Sequence, residues 1–230
     1  MQSLSRFLRL LEEGPPGSSH VFNPWRDTDD RDGSPRREMP KRRLENLEAY
    51  LAARTTSARV VLVGEAPSHR GCRFSGIAFC SETELVKKTK LVAHQALSLT
   101  SRDAKEKPQR ERSAAVIWDE IERAGFAYEV VLWNAFPWHP HLAEGVATNR
   151  RPRKTEVVHG RAPLLALLEC FTHPVKIYAV GKVAEEALAR WEEVRCTGYI
   201  RHPAQGGEAK FREGFRHVVA GHLGQSPGKV

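Results

Sequence analysis

Residues 60–81, VVLVGEAPSHRGCRFSGIAFCS, decide the fold of this chain. They begin with four consecutive apolar residues that end at Gly64, which is the pattern of a central strand buried on both faces of a parallel sheet. A loop of glycines, polar side chains and one aromatic ring follows directly. Ligands of open α/β sheets bind in the crevice beyond the carboxyl ends of the strands. We therefore expect residues 65–79 to line a site.

Three further segments carry strand patterns: residues 128–135, residues 175–180 and, more weakly, residues 196–200. Segments with helical spacing of apolar residues precede, separate and follow them. This alternation predicts an α/β protein, a three-layer αβα fold with a central, mainly parallel four-stranded sheet. We expect a single domain over residues 1–230, with an N-terminal helical and loop extension at about residues 1–55.

The charge balance favours a polyanionic partner. Lys and Arg number 36 against 28 Asp and Glu, which gives a net charge of +8. Such a surface attracts nucleic acid and gains from counterion release. Basic surfaces also serve solubility or bind small phosphates, so charge alone leaves these alternatives open.

The cysteines and the apolar runs indicate where the protein works. The four cysteines, at positions 72, 80, 170 and 196, include no C-x-x-C pair, which disfavours a zinc ribbon or an iron–sulfur framework. No apolar run reaches the ~20 residues that span a bilayer, and the first residues lack a continuous apolar segment. We expect a reduced, cytoplasmic protein without membrane contact.

Four loops should meet at one edge of the predicted sheet, after Gly64, Asn134, Gly181 and Ile200. Taken singly, an Asn, a His or a Phe at such a position is more often a turn former, a loop residue or part of the core. Their joint placement favours a site. The side chains expected near one crevice are Glu65, His69, Phe79, Asn134, His139 and His202.

Several common enzyme motifs are missing from the sequence. Gly64-x-x-Pro67 has neither the G-x-G-x-x-G pattern nor a Gly-Lys-Ser/Thr ending, which disfavours a Rossmann cofactor site and a P-loop. There is no H-E-x-x-H metal motif and no G-x-S-x-G nucleophile elbow. We therefore expect no metal and no cofactor.

The loop motifs resemble those of the uracil-DNA glycosylase superfamily. Its best-known branch has Gly-Gln-Asp-Pro-Tyr-His followed by Gly-x-x-Phe, and here residues 64–69 read GEAPSH and residues 76–79 read GIAF. A thermophilic branch begins Gly-Glu-x-Pro, which is closer still. The family's strand ending in Asn looks like LWNA at 132–135, its Gly-x-x-Ala like GKVA at 181–184, and its His-Pro-Ser like HPA at 202–204.

The resemblance implies a role for each matching residue. Phe79 would stack on a flipped uracil, and the amide of Asn134 would read the uracil edge. His202 would donate a hydrogen bond to the developing charge on uracil O2, and Glu65 would orient or deprotonate water. The rest of the substrate-binding loop would be formed by Gly64, Ala66, Pro67, Ser68 and His69.

Four positions depart from the best-known branch. Its water-activating Asp falls at Ala66, its thymine-excluding Tyr at Ser68, its phosphate-binding Ser at Ala204 and its intercalating Leu near Gly206. Glu65 must therefore substitute for the Asp, as in the thermophilic branch, and another group must reject thymine. The cluster cysteines of the thermophilic branch are absent, which predicts a divergent branch without an iron–sulfur centre.

DNA contacts are expected beside these loops. A run of cations follows the Asn134 loop, and the helix that starts at Lys182 would offer N–H groups to a phosphate. The alternative is a solvated charge run. Another basic stretch, residues 100–113, is expected to be a solvated surface loop, with DNA contact as the less favoured interpretation. The predicted DNA-binding residues are Arg150, Arg151, Arg153, Lys154, Lys182, Gln205, Gly206 and Gly207.

The leading hypothesis is a monomeric, metal-free, monofunctional uracil-DNA glycosylase. It would flip uracil out of DNA, release free uracil and leave an abasic site. One alternative is a uracil-DNA binding protein of the same fold with little or no turnover, because Ala66 stands where relatives have Asp. A second alternative is a nucleotide-processing α/β enzyme without a role on DNA.

Overall fold

The computed structural model describes residues 2–15, 19–87, 90–92 and 97–224. Its helices are α1 (Gln2–Glu13), α2 (Met39–Ala52), α3 (Cys72–Ser75), α4 (Glu82–Lys87), α5 (Arg112–Ala124), α6 (Lys154–Val157), α7 (Arg161–Leu168), α8 (Lys182–Leu188) and α9 (Glu208–Val218). Its strands are β1 (Val21–Phe22), β2 (Val60–Gly64), β3 (Val130–Asn134), β4 (His139–Pro140), β5 (Lys176–Val180) and β6 (Cys196–Ile200). None of the described helices combines the length and apolar character that a membrane-spanning helix needs.

The central sheet has four parallel strands in the order β3-β2-β5-β6. Every residue of β2 and β3 is buried, as expected for central strands covered on both faces. Gly64 pairs with Asn134, and Val180 with Ile200, so neighbouring strands end side by side. All four predicted strands, and their common direction, are confirmed.

Helices cover both faces of the sheet. The crossover from β2 to β3 runs across the sheet in the direction opposite to the two later crossovers. Since such crossovers are right-handed, α5 lies on one face and α7 and α8 lie on the other. Ring contacts agree with this: Tyr50 of α2 meets Trp118 of α5 at 6.4 Å, and Phe7 of α1 meets Trp133 of β3 at 5.1 Å. Further contacts place α9 beside α5 and α1 beside α7, which confirms the three-layer αβα fold.

The segment after α4 differs from expectation. The sequence pattern predicts a helix from Ser81 to about Leu99, whereas α4 ends at Lys87 and residues 97–100 are not helical. Residues 88–89 and 93–96 lie outside the described part of the chain. The Asn46 side chain donates to the carbonyl of Ser98 at 2.9 Å and accepts from its N–H at 2.7 Å. This buried amide takes the backbone hydrogen bonds that a helix would need at Ser98.

The Asp, Arg, Pro and Gly content of residues 23–41 predicts an extended or partly mobile loop, but a 3₁₀ helix forms at Arg36–Glu38 and α2 begins at Met39. Buried ion pairs hold the preceding part of this segment. Asp32 accepts from the Arg43 guanidinium at 3.0 Å, and both side chains are fully buried. Arg73 of α3 pairs with Asp29, and the Arg73 guanidinium lies 4.6 Å from the centre of the Phe22 ring. The loop is thereby tied to the short helix that follows the β2 loop. Residues 29–32 thus help to hold the loop that follows β2 in place.

Replacing Asp32 by Asn tests this anchor. The change leaves Arg43 without its buried counter-charge, so we expect the free energy of unfolding in urea to fall by about 3–5 kcal/mol. Asp103→Asn is the control, because the Asp103–Arg102 pair is 65% exposed on each side and should matter by less than about 0.5 kcal/mol. Equal effects of the two substitutions would contradict the structural role of Asp32.

Candidate active site

The four strand-end loops lie along one edge of the sheet, because all four strands run in the same direction. Asn134 ends β3 directly beside Gly64 at the end of β2. On the other side, a Cβ on Gly181, just after β5, would lie 3.2 Å from the Cβ of His202 in the loop after β6. Residues from four distant parts of the sequence therefore lie together at this edge of the sheet, which is called the crevice below.

The Phe79 ring lies against the end of β2. A Cβ on Gly64 would be 2.0 Å from Cζ of Phe79, so only glycine allows this approach. The Phe79 backbone is left-handed, with a φ of 50°, a conformation that costs free energy for a non-glycine residue. Trp118 of α5 holds it there by donating its indole N–H to the Phe79 carbonyl at 3.1 Å. The ring is thus fixed at the crevice.

The Asn134 side chain lies beside the same glycine. Its Oδ1 would be 3.1 Å from a Cβ on Gly64, and the residue is only 3% exposed. No hydrogen bond joins its amide group to another residue in the described part of the chain. A buried amide normally finds partners. We infer that a ligand can complete the hydrogen bonds of this amide.

His202 faces the Phe79 ring, with the two ring centres 5.8 Å apart. The Ala204 N–H donates to Nδ1 of His202 at 3.1 Å, so Nδ1 is the acceptor and the proton of the neutral ring is on Nε2. Burial, together with the nearby Arg201 charge, lowers the pKa of His202 to about 4. Near neutral pH the side chain is therefore an uncharged N–H donor at the crevice.

Glu65 directly follows Gly64 and is partly buried. Burial raises the pKa of its carboxyl group, and the positive charge of Arg151 acts in the opposite direction. The Glu65 carbonyl accepts from the N–H of Phe136 at 3.0 Å, which ties the start of the motif loop to the loop after β3. The site thus contains one carboxyl group with a cation nearby.

The remaining motif residues form a braced loop. Ala66 and Ser68 are partly buried, and Ser68 hydrogen-bonds to the carboxyl group of Glu111. Burial raises the pKa of Glu111 to about 7. The His69 N–H donates to Oδ1 of Asn149 at 2.9 Å.

His139, expected near the crevice, supports this loop from within the protein. Its ring nitrogens lie 2.9 Å and 3.0 Å from the carbonyl oxygens of Pro67 and Val146, and the residue is fully buried. Burial lowers its pKa to about 4. The structure therefore assigns His139 to the scaffold that holds Pro67 in place.

The predicted DNA-binding cations divide into two groups. Arg150 is mostly buried and makes a bidentate ion pair with Glu156, at 2.7 Å and 2.8 Å, so its charge is already paired within the protein and its predicted DNA contact has no support from this geometry. Arg151, Arg153, Lys154 and Lys182 are exposed, although Lys182 pairs with Glu185 at 2.6 Å. Arg151 and Lys154 line a groove of about 310 Å³ beside α8. These four cations remain predicted DNA ligands.

The tip of the loop after β6 is exposed at Gln205 and Gly206, both with positive φ. Gly207 is buried, and a Cβ there would lie 2.1 Å from the carbonyl oxygen of His202. Gly207 therefore shapes the turn that holds His202, whereas the first two residues stay available for contact.

Sequence reasoning missed Glu111 and Trp118 as supports of the site. Glu111 is the single acid between Arg110 and Arg112, which gives no sign of contact with Ser68. Trp118 falls on the apolar face of its helix and is indistinguishable from a core residue by its spacing. Over the described residues, no group of three His, Cys, Asp or Glu side chains is placed to hold a metal.

The fold and the geometry of the four loops define an α/β protein with a candidate site at the carboxyl edge of a parallel sheet. The family model described as "Uracil DNA glycosylase superfamily" matches residues 53–222, and the chain belongs to this superfamily. Its members include DNA glycosylases, which act on DNA in repair. The suspected family resemblance is thus confirmed.

A solved structure shows the same fold. The crystal structure of SMUG2 from Pedobacter heparinus superimposes with a TM-score of 0.63 over 95% of this chain and 98% of that chain, at 14% sequence identity. At this identity the likeness concerns the fold alone. No curated protein sequence matches the chain.

The state of His202 gives a direct test of the site geometry. Because its pKa is lowered to about 4, the ring should remain neutral, with its proton on Nε2, from pH 5 to pH 8. Long-range ¹H–¹⁵N NMR spectra of the imidazole, compared with a His202→Gln variant for assignment, report both properties. A titration near pH 6.5, or a proton on Nδ1, would show that the loop is arranged differently.

Proposed function

We propose that the protein is a monofunctional uracil-DNA glycosylase that flips uracil out of DNA and hydrolyses its N-glycosidic bond. The observation that carries this proposal is the convergence of the Phe79 ring, the Asn134 amide and the neutral His202 ring around one crevice. Together they supply a stacking surface, an edge reader and a hydrogen-bond donor for one flat base.

Base recognition follows from the chemistry of two side chains. An extruded base loses its stacking partners, and the Phe79 ring replaces one of them. The Asn134 amide offers one acceptor and a donor group, which match N3–H and O4 of uracil. Cytosine has an acceptor at N3 and an amino group at position 4, so the same amide orientation would oppose it. Asn134 therefore supports selection of uracil over cytosine.

Bond cleavage needs stabilisation of two developing charges. As the C1′–N1 bond breaks, its electron pair moves to the uracil ring and the sugar becomes cationic. The Nε2–H of neutral His202 can donate to uracil O2, which carries part of the new negative charge. A donor that is already neutral and positioned needs no proton loss or reorientation during the step.

Glu65 supports the second half of the reaction. Its carboxylate can accept a proton from water as the water oxygen bonds to C1′, and its charge can stabilise the cationic sugar. The products are then free uracil and an abasic site. The cation of Arg151 favours the ionised form of Glu65, which opposes the effect of burial.

One alternative has a specific observation in its favour. Ala66 stands where the best-known branch of the superfamily has its water-activating Asp, so this position supplies no carboxylate. A uracil-DNA binding protein with little or no turnover would have the same base pocket. Gel shift of uracil-containing DNA without strand cleavage after alkali would support this alternative over the glycosylase.

We further propose that the protein acts as a single-domain monomer in the cytoplasm, without metal or cofactor. The single-domain part of this proposal is supported by the continuous sheet that carries all four site loops. The partners are uracil-containing DNA as substrate and free uracil as product.

Substitution of Asn134 or His202 by Ala tests the proposal. Loss of the His202 donor should slow cleavage by about 10²–10³-fold, and loss of the Asn134 amide should have a comparable effect on uracil selection and rate. The assay is single-turnover cleavage of a uracil oligonucleotide followed by alkali. His173→Ala, an exposed histidine before β5, is the control and should retain the wild-type rate. Unchanged rates in either site variant would place the site elsewhere.

The pH dependence of the reaction tests Glu65. Burial raises its pKa above the usual value, so kcat/KM should fall as pH drops through this raised pKa and the carboxylate is protonated. His202, with a pKa of about 4, is neutral well above that pH. Glu65→Gln should be slower and should lose this acid limb. An unchanged acid limb in Glu65→Gln would assign it to another group.

A further inference from the structure

Residues 102–112, here called the basic loop, connect Ser101 to the start of α5. The loop carries two exposed acids, Asp103 and Glu106, and one acid that is turned into the protein, Glu111. Its cations outnumber these acids, and all of them are exposed. They are Arg102, Lys105, Lys107, Arg110 and Arg112.

Glu82 of α4 anchors both ends of the basic loop. Its carboxylate accepts from the N–H groups of Thr100 and Ser101, each at 2.8 Å, and from the Ser101 hydroxyl. It also accepts from the N–H of Gln109 at 3.0 Å. Glu82 is fully buried, so these charge-assisted hydrogen bonds form away from water. The two ends of the loop are thereby held near one buried charge.

The second end of the loop is also attached to the candidate active site. Thr83 of α4 donates its N–H and its hydroxyl to the Gln109 carbonyl, both at 3.0 Å. Two residues later, Glu111 turns inward to Ser68 of the motif loop. A Cβ on Gly71 would lie 1.8 Å from the Glu111 carboxylate, so the two segments are in direct contact. The basic loop is thus part of the wall around the motif loop.

Arg110 and Arg112 flank this attachment point and are exposed. The Arg112 side chain is 90% exposed, and its guanidinium lies 3.6 Å from the carboxylate of Glu208. Glu208 begins α9, directly after the loop that carries His202. Arg112 therefore lies between the motif loop and the His202 loop. Its exposed ion pair contributes little to stability, which leaves the charge available to another anion.

The basic loop lies on the side of the sheet opposite to the cations predicted from the sequence. Arg112 begins α5, which covers one face of the sheet, whereas Arg151 and Lys154 border the groove beside α8 on the other face. The crevice at the strand ends lies between the two helical layers. Cations thus border it on both sides, an arrangement suited to a polyanionic strand that crosses the crevice.

We propose that the basic loop is a second DNA-binding surface and that Arg110 and Arg112 bind backbone phosphates on the α5 side of the crevice. The inference extends the proposed function by adding a contact surface for the same DNA substrate. Phosphate contacts position the strand without reading its sequence. Glu82 and Glu111 act as positioning residues, since they fix the loop that presents the two arginines.

The test compares the variant R110Q/R112Q with the control variant R123Q/R195Q. Arg123 is exposed on the same helix, about 16 Å from Arg112, and Arg195 is exposed at the opposite edge of the sheet. Both variants lose two positive charges, so any difference in DNA binding between them reflects where the charges lie and not the net charge. A third variant, R110K/R112K, retains both charges in the loop. Thermal unfolding checks that all variants are folded.

Binding is measured by fluorescence anisotropy with a labelled, uracil-free DNA duplex over a series of salt concentrations. Each phosphate contact contributes about 0.9 to the slope of log K against log salt, so R110Q/R112Q should reduce the slope by about 1.8 relative to the control. R110K/R112K should keep most of the wild-type slope. Equal slopes for R110Q/R112Q and R123Q/R195Q would overturn the proposal.

The uracil-free DNA separates this inference from the proposed function. If the wild-type protein fails to cleave uracil DNA but R110Q/R112Q still has the reduced slope of log K against log salt, the binding surface is supported and the glycosylase proposal is not. If the wild type cleaves uracil DNA and the slopes are equal, the glycosylase proposal is supported and the surface is refuted. A wild-type protein that binds no DNA would overturn both.

Discussion

The close approach of the Phe79 ring to Gly64 is the constraint on which the candidate site depends. A side chain at position 64 would occupy the place of the ring, and it would also press on the amide of Asn134. Because β2 and β3 are parallel and in register, the glycine and the asparagine end their strands side by side. One missing side chain therefore lets an aromatic ring and a polar amide border the same small space.

The residues around Phe79 hold it in a backbone conformation that a non-glycine residue does not favour on its own. Phe79 has a positive φ, and the indole of Trp118 and the turn around Cys80 fix it, with the Ser75 hydroxyl donating to the Cys80 carbonyl at 2.7 Å. On the other side of the loop, His139 holds the Pro67 carbonyl. Strained backbone that several neighbours hold in place is common at functional sites. The rigidity of the loop is what makes a preorganised site possible.

The parts of the protein that follow local rules could be predicted from the sequence. The four strands were evident from short apolar runs, and their alternation with helices required a parallel sheet. This in turn placed residues 65–79, Asn134 and His202 at one edge, and the motif spacing assigned Phe79, Asn134 and His202 to the matching family positions. These features depend on periodicity and on chain order, both of which a single sequence contains.

The features that sequence reasoning missed depend on contacts between distant segments. Arg150 looked like a free cation, yet Glu156 six residues later neutralises it inside the protein. At Ser98, the predicted helix beyond Lys87 would need the backbone groups that instead hydrogen-bond to the Asn46 amide, 52 residues earlier in the sequence. The basic loop resembled solvated surface, because its attachment rests on Glu82 and on an inward-turned Glu111. Composition and spacing do not reveal such pairings.

A crystal structure of the protein with free uracil would test the central claim most directly. The account predicts that the uracil ring stacks on Phe79, that the Asn134 amide pairs with N3–H and O4, and that Nε2 of His202 lies within hydrogen-bond distance of O2. Uracil bound away from the Gly64 and Phe79 contact, or bound there with its O2 directed away from His202, would contradict the account.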